Sequence, residues 1–353
     1  MRVLLVRLSS FGDVVFAMPA ARALKDAAGA GVHLTWAIEP PLAPLVEGAP
    51  YVDAVLPVNT RGWRREWRAS KTRREIREFS RTARAGDFDL VVDAQGLFKS
   101  ALVTAVAGVS PAGRRVGFGW RTATERVNCL VTGEHVDVDR AARPHVLDQM
   151  LALAEHVTGR AGFDRTPDVR HLAGRPDPAV DAWLERYGQR PFALLQPFSS
   201  KVTKTWGDRG VLEFSAWLSS EGIQPVLRWG PGEESRAESL LALSRQSPVP
   251  AAASRPLSLP LLLAPPTTPA STARLAARAA LFVGADTGPT HLAAAAGAPT
   301  LALFGPTPPE RFAPVGPSAA FLRESSRDYN RSGDDGPRWL LPDVIRAARR
   351  LGA

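Results

Sequence analysis

The feature that most restricts the fold is an alternation of short apolar runs with helical segments, which starts at the N-terminus and begins again near residue 190. Apolar runs predict strands at 3–6, 32–38, 54–58, 90–93, 192–196, 225–229, 261–263, 280–283 and 300–304. Pro19 is predicted to lie in the first turn of a helix. Strands separated by helices form parallel sheets covered on both faces. The sequence therefore predicts an α/β protein of two Rossmann-like, doubly wound domains that face each other across a cleft.

The length of the chain supports this organisation. A chain of 353 residues can hold two domains of roughly 100–200 residues each. We place the domains at residues 1–170 and 171–353, and we predict a final helix at 342–351. The segment 248–269 is rich in proline and 325–337 is polar, so both are predicted to be largely irregular.

Composition excludes several classes of protein. Hydrophobic residues make up 45% of the chain, which is enough for buried cores and too much for a disordered chain. Cys129 is the one cysteine, so an internal disulfide is impossible, which fits a reducing compartment. The six histidines and Cys129 lack metal-ligand spacing, and no apolar run approaches the roughly 18 residues of a membrane span. We therefore predict no metal site and disfavour secreted and membrane-spanning proteins.

The basic residues are concentrated in one segment. The net charge is +9, and residues 61–84 contain ten arginines and lysines but only three glutamates. Trp63 and Trp67 lie among the first arginines, and the later part has the periodicity of an amphipathic helix. Arginine binds phosphate and tryptophan favours membrane interfaces, so the segment predicts an anionic, membrane-borne partner. A nucleic acid would satisfy the same charge, and a solvated helix face is the third interpretation.

A polar loop, Ser9-Ser10-Phe11-Gly12-Asp13, follows the first predicted strand, and ligands bind at this end of strands in open parallel sheets. Asp13 is a candidate general base. The alternative is that Asp13 only caps the helix that begins there. The loop lacks the GxGxxG pattern, so a nicotinamide cofactor is disfavoured.

The second half contains a comparable loop after its first strand. Ser199, Ser200 and Lys204 supply hydroxyl groups and a cation that can hold phosphate. Their spacing is not that of a P-loop, so ATP hydrolysis of that type is not supported. An ordinary surface loop is the alternative.

Another loop in the second half opens a helix of small residues. Asp286, Thr287 and Gly288 follow the strand at 280–283, and His291 lies one turn further along. The free amides and the dipole of a helix N-terminus attract anions. A helix cap without a ligand is the alternative.

Taken together and in this order, these segments resemble the lipopolysaccharide heptosyltransferases, a family of inverting glycosyltransferases (family 9) with the GT-B fold. The stretches DTGPTH at 286–291 and LFGPT at 303–307 resemble the family's donor-site signature. Within the family, the resemblance to heptosyltransferase I depends on SSFGD at 9–13, RGWRR at 61–65, DAQGLFKS at 93–100 and KTW at 204–206. Heptosyltransferase II has a different first loop and is the weaker match.

The resemblance implies roles for individual residues. Asp13 matches the catalytic base, and Lys204 matches a lysine that holds the donor near its diphosphate and sugar. The residues matched to donor binding are Ser199, Ser200, Lys204, Glu233, Asp286, Thr287, Gly288 and His291. The residues matched to acceptor binding are Ser10, Arg61, Arg64, Arg65, Gln95 and Lys99. Gly62 stands where the family often has a basic residue.

The resemblance also implies a function. It is the transfer of L-glycero-D-manno-heptose from ADP-heptose to Kdo of the lipid A inner core, in lipopolysaccharide core biosynthesis. The N-terminal domain would bind the acceptor and the C-terminal domain ADP-heptose, with the option that the last helix packs back on the N-terminal domain. The resemblance further implies a monomeric cytoplasmic enzyme, peripheral on the inner membrane, without a cofactor, a metal or a nucleic-acid partner.

Two other functions stay open at this point. One is another member of the same family, such as heptosyltransferase II or a transferase of a different nucleotide sugar, because a fold does not specify a substrate. The other is a non-enzymatic, basic nucleic-acid-binding protein, which explains the charge of residues 61–84 but not the motif at 286–291.

Overall fold

The computed structural model describes residues 1–27, 31–246, 259–324 and 339–353. The chain divides into two compact units, Met1–Pro167 and Asp168–Ala353, close to the predicted boundary. Each unit contains a six-stranded sheet in which neighbouring strands run parallel. The predicted loop at 325–337, and residues 248–258 of the proline-rich segment, lie outside the described residues.

The first unit has six strands and five helices. The strands are β1 (Arg2–Val6), β2 (His33–Ile38), β3 (Ala54–Pro57), β4 (Phe88–Asp93), β5 (Val109–Phe118) and β6 (Glu134–Val136). The helices are α1 (Phe11–Ala27), α2 (Thr60–Arg65), α3 (Ser70–Arg84), α4 (Phe98–Val106) and α5 (Val146–Thr158), with 3-10 turns at Pro40–Leu45 and Arg126–Leu130. The strand order is β3-β2-β1-β4-β5-β6, so β1 lies between β2 and β4.

The second unit has the same architecture. Its strands are β7 (Phe192–Gln196), β8 (Gln224–Leu227), β9 (Leu262–Leu263), β10 (Leu281–Ala285), β11 (Thr300–Phe304) and β12 (Ala319–Arg323). Its helices are α6 (Arg170–Ala173), α7 (Pro178–Tyr187), α8 (Asp208–Ser220), α9 (Glu234–Gln246), α10 (Pro269–Ala276), α11 (Gly288–Ala295), α12 (Pro309–Phe312) and α13 (Leu341–Arg350), with a 3-10 turn at Val202–Lys204. The strand order is β12-β11-β10-β7-β8-β9.

The nine predicted strands are all confirmed, and the central ones match best. Every residue of β7, β10 and β11 is buried, which is why their sequences are continuous apolar runs. The strands β5, β6 and β12 were not predicted. All three are partly exposed, and β5 and β12 contain arginines, so none has a long apolar run.

The predicted position of Pro19 is wrong. α1 begins at Phe11, and Pro19 lies inside the helix, where it cannot donate the N–H that the carbonyl of Val15 would accept. Residues 14–21 of this helix are all buried, and α1 packs against α5. Tertiary packing therefore outweighs the helix-breaking tendency of proline.

The last helix, α13, belongs to the core of the second unit. Val344 and Ala348 of α13 are fully buried in a cluster with Leu218 of α8. The Nη2 of Arg349 also lies 2.9 Å from Glu221 Oε1, just after α8. The apolar stripe of α13 therefore covers one face of the second sheet.

A buried carboxylate holds the loop that follows β4. Asp93 is fully buried, and its Oδ1 accepts the backbone N–H groups of Gln95 and Gly96 at 2.9 and 3.0 Å. Its Oδ2 accepts the hydroxyl of Thr104 at 3.0 Å and the amide of Asn128 at 2.6 Å. One side chain therefore links β4, α4 and the 3-10 turn at Arg126–Leu130.

We expect Asp93→Ala to lower the free energy of unfolding by roughly 3 kcal/mol or more, because four donors would lose a buried acceptor. Equilibrium unfolding in urea measures this change. Asp26→Ala, on the exposed side of α1, is the matched control and should change stability by less than about 0.5 kcal/mol. Equal unfolding midpoints for the two variants would contradict the structural role of Asp93.

Candidate functional site

Asp13 lies in the first turn of α1, just beyond the carboxyl end of β1, and its carboxylate is held from two sides. Arg7 Nη2 is 2.8 Å from Asp13 Oδ1. The backbone N–H and the hydroxyl of Ser10 donate to Asp13 Oδ2 at 3.0 and 2.7 Å. Asp13 is the third residue of α1 and not its N-cap, and its carboxylate reaches back to Ser10, the residue before the helix. The side chain of Asp13 is still 23% exposed, so capping does not prevent it from meeting a substrate.

The pKa of Asp13 is lowered below its ordinary value. Burial is the largest influence and raises the pKa, but the charge of Arg7 and the hydrogen bonds from Ser10 and Arg7 together outweigh it. Asp13 is therefore ionised at neutral pH, as a general base must be. The sequence analysis missed Arg7, whose guanidinium is also anchored by donating to the carbonyl of Ala94 at 2.8 Å.

The predicted acceptor residues Gln95 and Lys99 are brought to the same sheet edge, because β4 pairs with β1. Lys99 Nζ donates to the hydroxyl of Ser9. Burial is the largest influence on the pKa of Lys99 and lowers it. Gln95 is buried, and its Oε1 accepts the backbone N–H of Leu8 at 2.8 Å. Its amide oxygen therefore supports the loop after β1.

A second carboxylate, Glu39, lies at this edge and was not predicted. Glu39 follows β2, is 3% exposed and accepts a hydrogen bond from the hydroxyl of Thr60, the first residue of α2. The charges of Glu39 and Arg61 both act on Lys99. Glu39 therefore ties the start of the basic segment to the edge that holds Asp13.

The helix α2 presents the predicted basic residues to solvent. Asn59 Oδ1 accepts the backbone N–H of Gly62 at 3.1 Å, and a Cβ at Gly62 would lie 2.5 Å from Asn59 Nδ2. A side chain at residue 62 would therefore push the helix cap away, which explains the glycine. Arg64 and Arg65 are exposed, and Arg65 contacts the neighbouring Glu66 at 2.8 Å.

The two tryptophans of the basic segment have different environments. Trp63 donates through Nε1 to Glu75 at 3.2 Å, and its ring lies 5.3 Å from that of Phe79. Trp63 therefore packs between α2 and α3. Trp67 is 60% exposed, and the guanidinium of Arg68 lies 4.7 Å from its ring centre.

In the second unit, three predicted donor residues meet at one point although they are far apart in sequence. Lys204 Nζ contacts Asp286 Oδ2, and His291 Nε2 lies 3.3 Å from Asp286 Oδ1. Asp286 follows β10 and Lys204 follows β7, and these two strands are paired. The side chains of Asp286 and His291 are each 5% exposed, whereas that of Lys204 is 18% exposed.

The pKa of Asp286 is lowered to about 2. Burial is the largest influence and raises the pKa, but His291 and Lys204 outweigh it through hydrogen bonds and charge. The carboxylate is therefore ionised at every physiological pH, and it fixes the position of the lysine.

The helix α11 begins beside this cluster. Thr287 is its N-cap residue, but the side chain of Thr287 does not cap the helix and its hydroxyl donates to the carbonyl of Ala285 at 3.3 Å. A Cβ on Gly284 would lie 2.6 Å from Thr290 Oγ1, so only glycine fits at that position of β10. The sequence analysis missed this glycine. The first amides of α11, including that of Gly288, lie where an anion would be attracted.

The loop between β7 and α8 is closed by the tryptophan of its motif. Trp206 is buried, and its backbone N–H donates to the carbonyl of Pro197 at 2.9 Å. The centre of its ring lies 5.6 Å from that of Phe214. Within the loop, Ser199 Oγ accepts the N–H of Lys201 at 3.2 Å, and Ser200 is exposed. The structure therefore explains Trp206 as an anchor of the loop.

The predicted Glu233 lies beyond β8, beside an unpredicted buried arginine. Glu233 Oε2 accepts the N–H of Gly230 at 2.7 Å. Arg228 is 6% exposed and donates to Gln196 at 2.5 Å and to Thr272 at 3.2 Å. Burial lowers the pKa of Arg228 to about 10, and the charge of Glu233 opposes that shift. Arg228 therefore links β7, β8 and α10, a role that only the tertiary contacts reveal.

Among residues 1–27, 31–246, 259–324 and 339–353, no group of three or more histidine, cysteine, aspartate or glutamate side chains is arranged to hold a metal ion. None of the helices in the described part of the chain combines the length and the apolar character needed to span a membrane.

Comparison with known proteins identifies the family. Residues 76–333 match the family model of glycosyltransferase family 9 (heptosyltransferase). The chain is 34% identical over 320 residues to lipopolysaccharide heptosyltransferase 1 of Pseudomonas aeruginosa, covering 88% of this chain and 80% of that one. It is 31% identical over 319 residues to lipopolysaccharide heptosyltransferase 1 of Salmonella typhimurium, covering 88% and 90%.

A solved structure agrees with these relatives. The E. coli heptosyltransferase WaaC with ADP matches with a TM-score of 0.80 and 25% identity, over 100% of both chains. The predicted fold class, GT-B with two Rossmann-like doubly wound domains, is therefore confirmed.

The lowered pKa of Asp286 predicts how acid affects stability. An ionised carboxylate with a lower pKa in the folded state stabilises the fold above the unfolded pKa of about 3.9, and this contribution is lost as the pH falls toward 2. We expect Asp286→Asn to remove roughly 2 kcal/mol of unfolding free energy at pH 6 and clearly less at pH 3. Urea unfolding at both pH values checks this. A stability difference from wild type that does not depend on pH would contradict it.

Proposed function

Because the chain belongs to glycosyltransferase family 9 (heptosyltransferase), we propose that it transfers L-glycero-D-manno-heptose from ADP-heptose to Kdo of the lipid A inner core. The relatives that match most of the chain are named lipopolysaccharide heptosyltransferase 1, and a solved relative was crystallised with ADP. These matches favour this reaction over a different nucleotide sugar. They also disfavour a nucleic-acid-binding protein, because this family consists of enzymes.

The observation that carries the donor assignment is the cluster of Lys204, Asp286 and His291 beside the N-terminus of α11. We place the diphosphate of ADP-heptose near Lys204 and the amides of Thr287 and Gly288. The ammonium group of lysine has three hydrogens, so it can donate to a phosphate while Asp286 holds it in position. A helix N-terminus adds favourable charge for the same anion.

The other predicted donor residues lie on loops at the same end of the second sheet. Ser199 and Ser200 belong to the loop that contains Lys204, and we assign their hydroxyl groups to the phosphates. Glu233 is assigned to the ribose, and its contact with Gly230 holds it in the turn after β8. The adjacent glutamate, Glu234, is the exposed first residue of α9, so we assign the ribose contact to Glu233.

We assign the acceptor to the loops at the carboxyl ends of β1 and β4 and to the basic residues of α2. Arg61, Arg64 and Arg65 would contact the acidic groups of the sugar-lipid, because guanidinium groups bind carboxylates and phosphates in a bidentate manner. Lys99 lies near Ser9 and Asp13. Ser10 and Gln95 support the loop through their contacts with Asp13 and Leu8, so we now assign them to positioning.

The proposed chemistry is a single displacement with inversion. Asp13 accepts the proton of the acceptor hydroxyl while that oxygen attacks the anomeric carbon of heptose, and the bond to the ADP oxygen breaks. The transition state carries oxocarbenium character, as in glycoside hydrolysis. Lys204 and the amides of α11 stabilise the charge that develops on ADP. This scheme includes no metal, so we expect transfer to continue in the presence of a chelator.

We further propose that the enzyme acts as a monomer at the cytoplasmic face of the inner membrane, where its lipid-linked acceptor is anchored. The basic charge of residues 61–84 and the exposed Trp67 support peripheral contact with anionic lipid. Such contact is screened by salt.

The function is tested by mass spectrometry of the products. Purified protein is incubated with Kdo-lipid A and a panel of nucleotide sugars that includes ADP-heptose. We expect one heptose to be added, and only from ADP-heptose. Preferential use of another nucleotide sugar would assign the chain to a different reaction of the same family, and absence of any transfer would contradict the proposal.

Replacing the proposed base should separate catalysis from donor binding. We expect Asp13→Asn to lower kcat by about 10²–10⁴-fold, because a positioned base contributes that much. The affinity for ADP should stay within about threefold of wild type, since Asp13 lies in the first unit and the donor residues lie in the second. Asp26→Asn is the control. Wild-type turnover by Asp13→Asn, measured in the transfer assay, would remove Asp13 from the mechanism.

Charge reversal in α2 should weaken binding of the acceptor and leave binding of the donor unchanged. We expect the double variant Arg64→Glu, Arg65→Glu to raise the KM for Kdo-lipid A by at least about tenfold, because two charge-assisted hydrogen bonds are replaced by repulsion. The KM for ADP-heptose should stay within about twofold. The control is the double variant Arg190→Glu, Arg278→Glu, which makes the same change in net charge at exposed sites of the second unit. Equal KM changes for both substrates would argue against acceptor binding by α2.

A further inference from the structure

The helix α4 buries two polar residues and exposes large apolar ones. Its buried residues include Ser100 and Thr104, each 0% exposed. Ser100 accepts the N–H of Leu97 at 3.1 Å, and Thr104 donates to the buried Asp93. A surface helix ordinarily buries its apolar residues and presents polar ones to solvent. The inward face of α4 is instead partly polar, so the helix departs from this ordinary arrangement.

The outward face of α4 is apolar. Phe98 and Leu102 are 54% and 53% exposed, and Ala105 is also exposed, so the three form a stripe at helical spacing. The neighbouring 3-10 turn adds Val127 and Leu130, which are 39% and 71% exposed. We call these five residues the apolar patch. Contiguous exposed apolar surface on a soluble domain typically marks a contact with a partner or a membrane.

Contacts within the unit show that the two parts of the apolar patch belong to adjacent elements. The backbone N–H of Phe98 donates to Glu125, the residue just before the 3-10 turn. Asn128, inside that turn, donates to Asp93 at 2.6 Å. The patch is therefore carried on a rigid, hydrogen-bonded support.

The basic helix α3 lies directly beside α4. Phe79 and Ala83 of α3 pack in one hydrophobic cluster with Val103 and Val106 of α4. α3 has six basic and two acidic residues, and its arginines Arg73, Arg74, Arg77, Arg81 and Arg84 are exposed. Arg126, the first residue of the 3-10 turn that carries Val127 and Leu130, is exposed, and so is Arg121. An apolar surface is thus bordered by cationic side chains.

From this juxtaposition we propose that the apolar patch inserts into the interfacial layer of an anionic phospholipid bilayer while the exposed basic residues of α3 contact the headgroups. A basic border around apolar side chains complements a surface whose outer layer is anionic and whose interior is apolar. A protein partner of ordinary composition would not require this arrangement of charge. The inference rests on the proposed function in one respect only, which is that a lipid-linked acceptor requires the enzyme to work at a membrane.

The test measures how much charge and how much apolar insertion contribute to the binding of the intact protein to vesicles. Wild type is floated with vesicles of phosphatidylglycerol and phosphatidylethanolamine, and separately with vesicles of phosphatidylcholine. Each mixture is measured at low salt and at about 1 M salt, where charge is screened within about 3 Å. We expect binding to the anionic vesicles to weaken in high salt without vanishing, since insertion of apolar side chains is not screened.

Paired variants then separate the two contributions. We expect Phe98→Gln, Leu102→Gln to lower the vesicle partition coefficient at least about tenfold and to abolish the binding that persists in high salt. Arg74→Glu, Arg81→Glu should lose mainly the salt-sensitive part. Leu243→Ala, Leu340→Ala removes two exposed leucines of the second unit and should bind as wild type does. A Tm within a few degrees of wild type shows that each variant is folded.

Several outcomes would overturn the inference. One is wild-type vesicle binding by Phe98→Gln, Leu102→Gln at both salt concentrations. Another is a dimer of the wild type that sedimentation velocity detects and that the same variant abolishes, because the patch would then cover a second copy of the chain. Preferential binding of the patch to a protein partner instead of vesicles would also overturn it.

A transfer assay with two acceptors distinguishes failure of the proposed function from failure of the insertion proposal. Transfer is measured with vesicle-embedded Kdo-lipid A and with a delipidated, water-soluble Kdo acceptor. The insertion model predicts that Phe98→Gln, Leu102→Gln loses activity on the embedded acceptor and keeps it on the soluble one. If wild type transfers heptose to neither acceptor, the proposed function fails, and the vesicle experiment still decides whether the patch inserts.

Discussion

Both candidate sites depend on the parallel pairing of the central strands in each unit. β1 pairs with β4 and β7 pairs with β10, so the loops after paired strands leave the sheet at the same edge. This pairing brings Lys99 near Asp13, and Lys204 into contact with Asp286. Because these strands are buried on both faces, a shift in register would expose core residues, and the positions of the loops are correspondingly restricted.

The two central carboxylates illustrate one electrostatic principle. Burial alone would raise the pKa of Asp13 and of Asp286, but cations from the same unit reverse the effect. Arg7 acts on Asp13, whereas Lys204 and His291 act on Asp286. The exposures differ, however: the Asp13 side chain is 23% exposed and that of Asp286 is 5% exposed. The first arrangement suits a group that meets a substrate proton, and the second suits a group that positions a lysine.

The polar interior of the first unit has a consequence at its surface. Asp93 requires buried donors, and α4 supplies one of them through Thr104 on its inward face. Phe98 and Leu102 of the same short helix are left facing outward, and its valines pack beside the basic helix α3. One buried carboxylate thus helps both to hold the loop before α4 and to determine which side chains the unit presents outward.

The sequence alone determined the positions of nine strands and the two-domain organisation, because buried parallel strands leave short, local patterns. Gln95 shows the limit of this reasoning, since no local pattern indicates that its amide oxygen accepts the backbone N–H of Leu8. Glu39 and Arg228 were missed because each acts through partners distant in the chain, and Arg7 because its guanidinium is anchored on the carbonyl of Ala94. Only the tertiary structure decided which carboxylates are paired with cations and which face of α4 is exposed, since both depend on packing between separate elements, which no local pattern encodes.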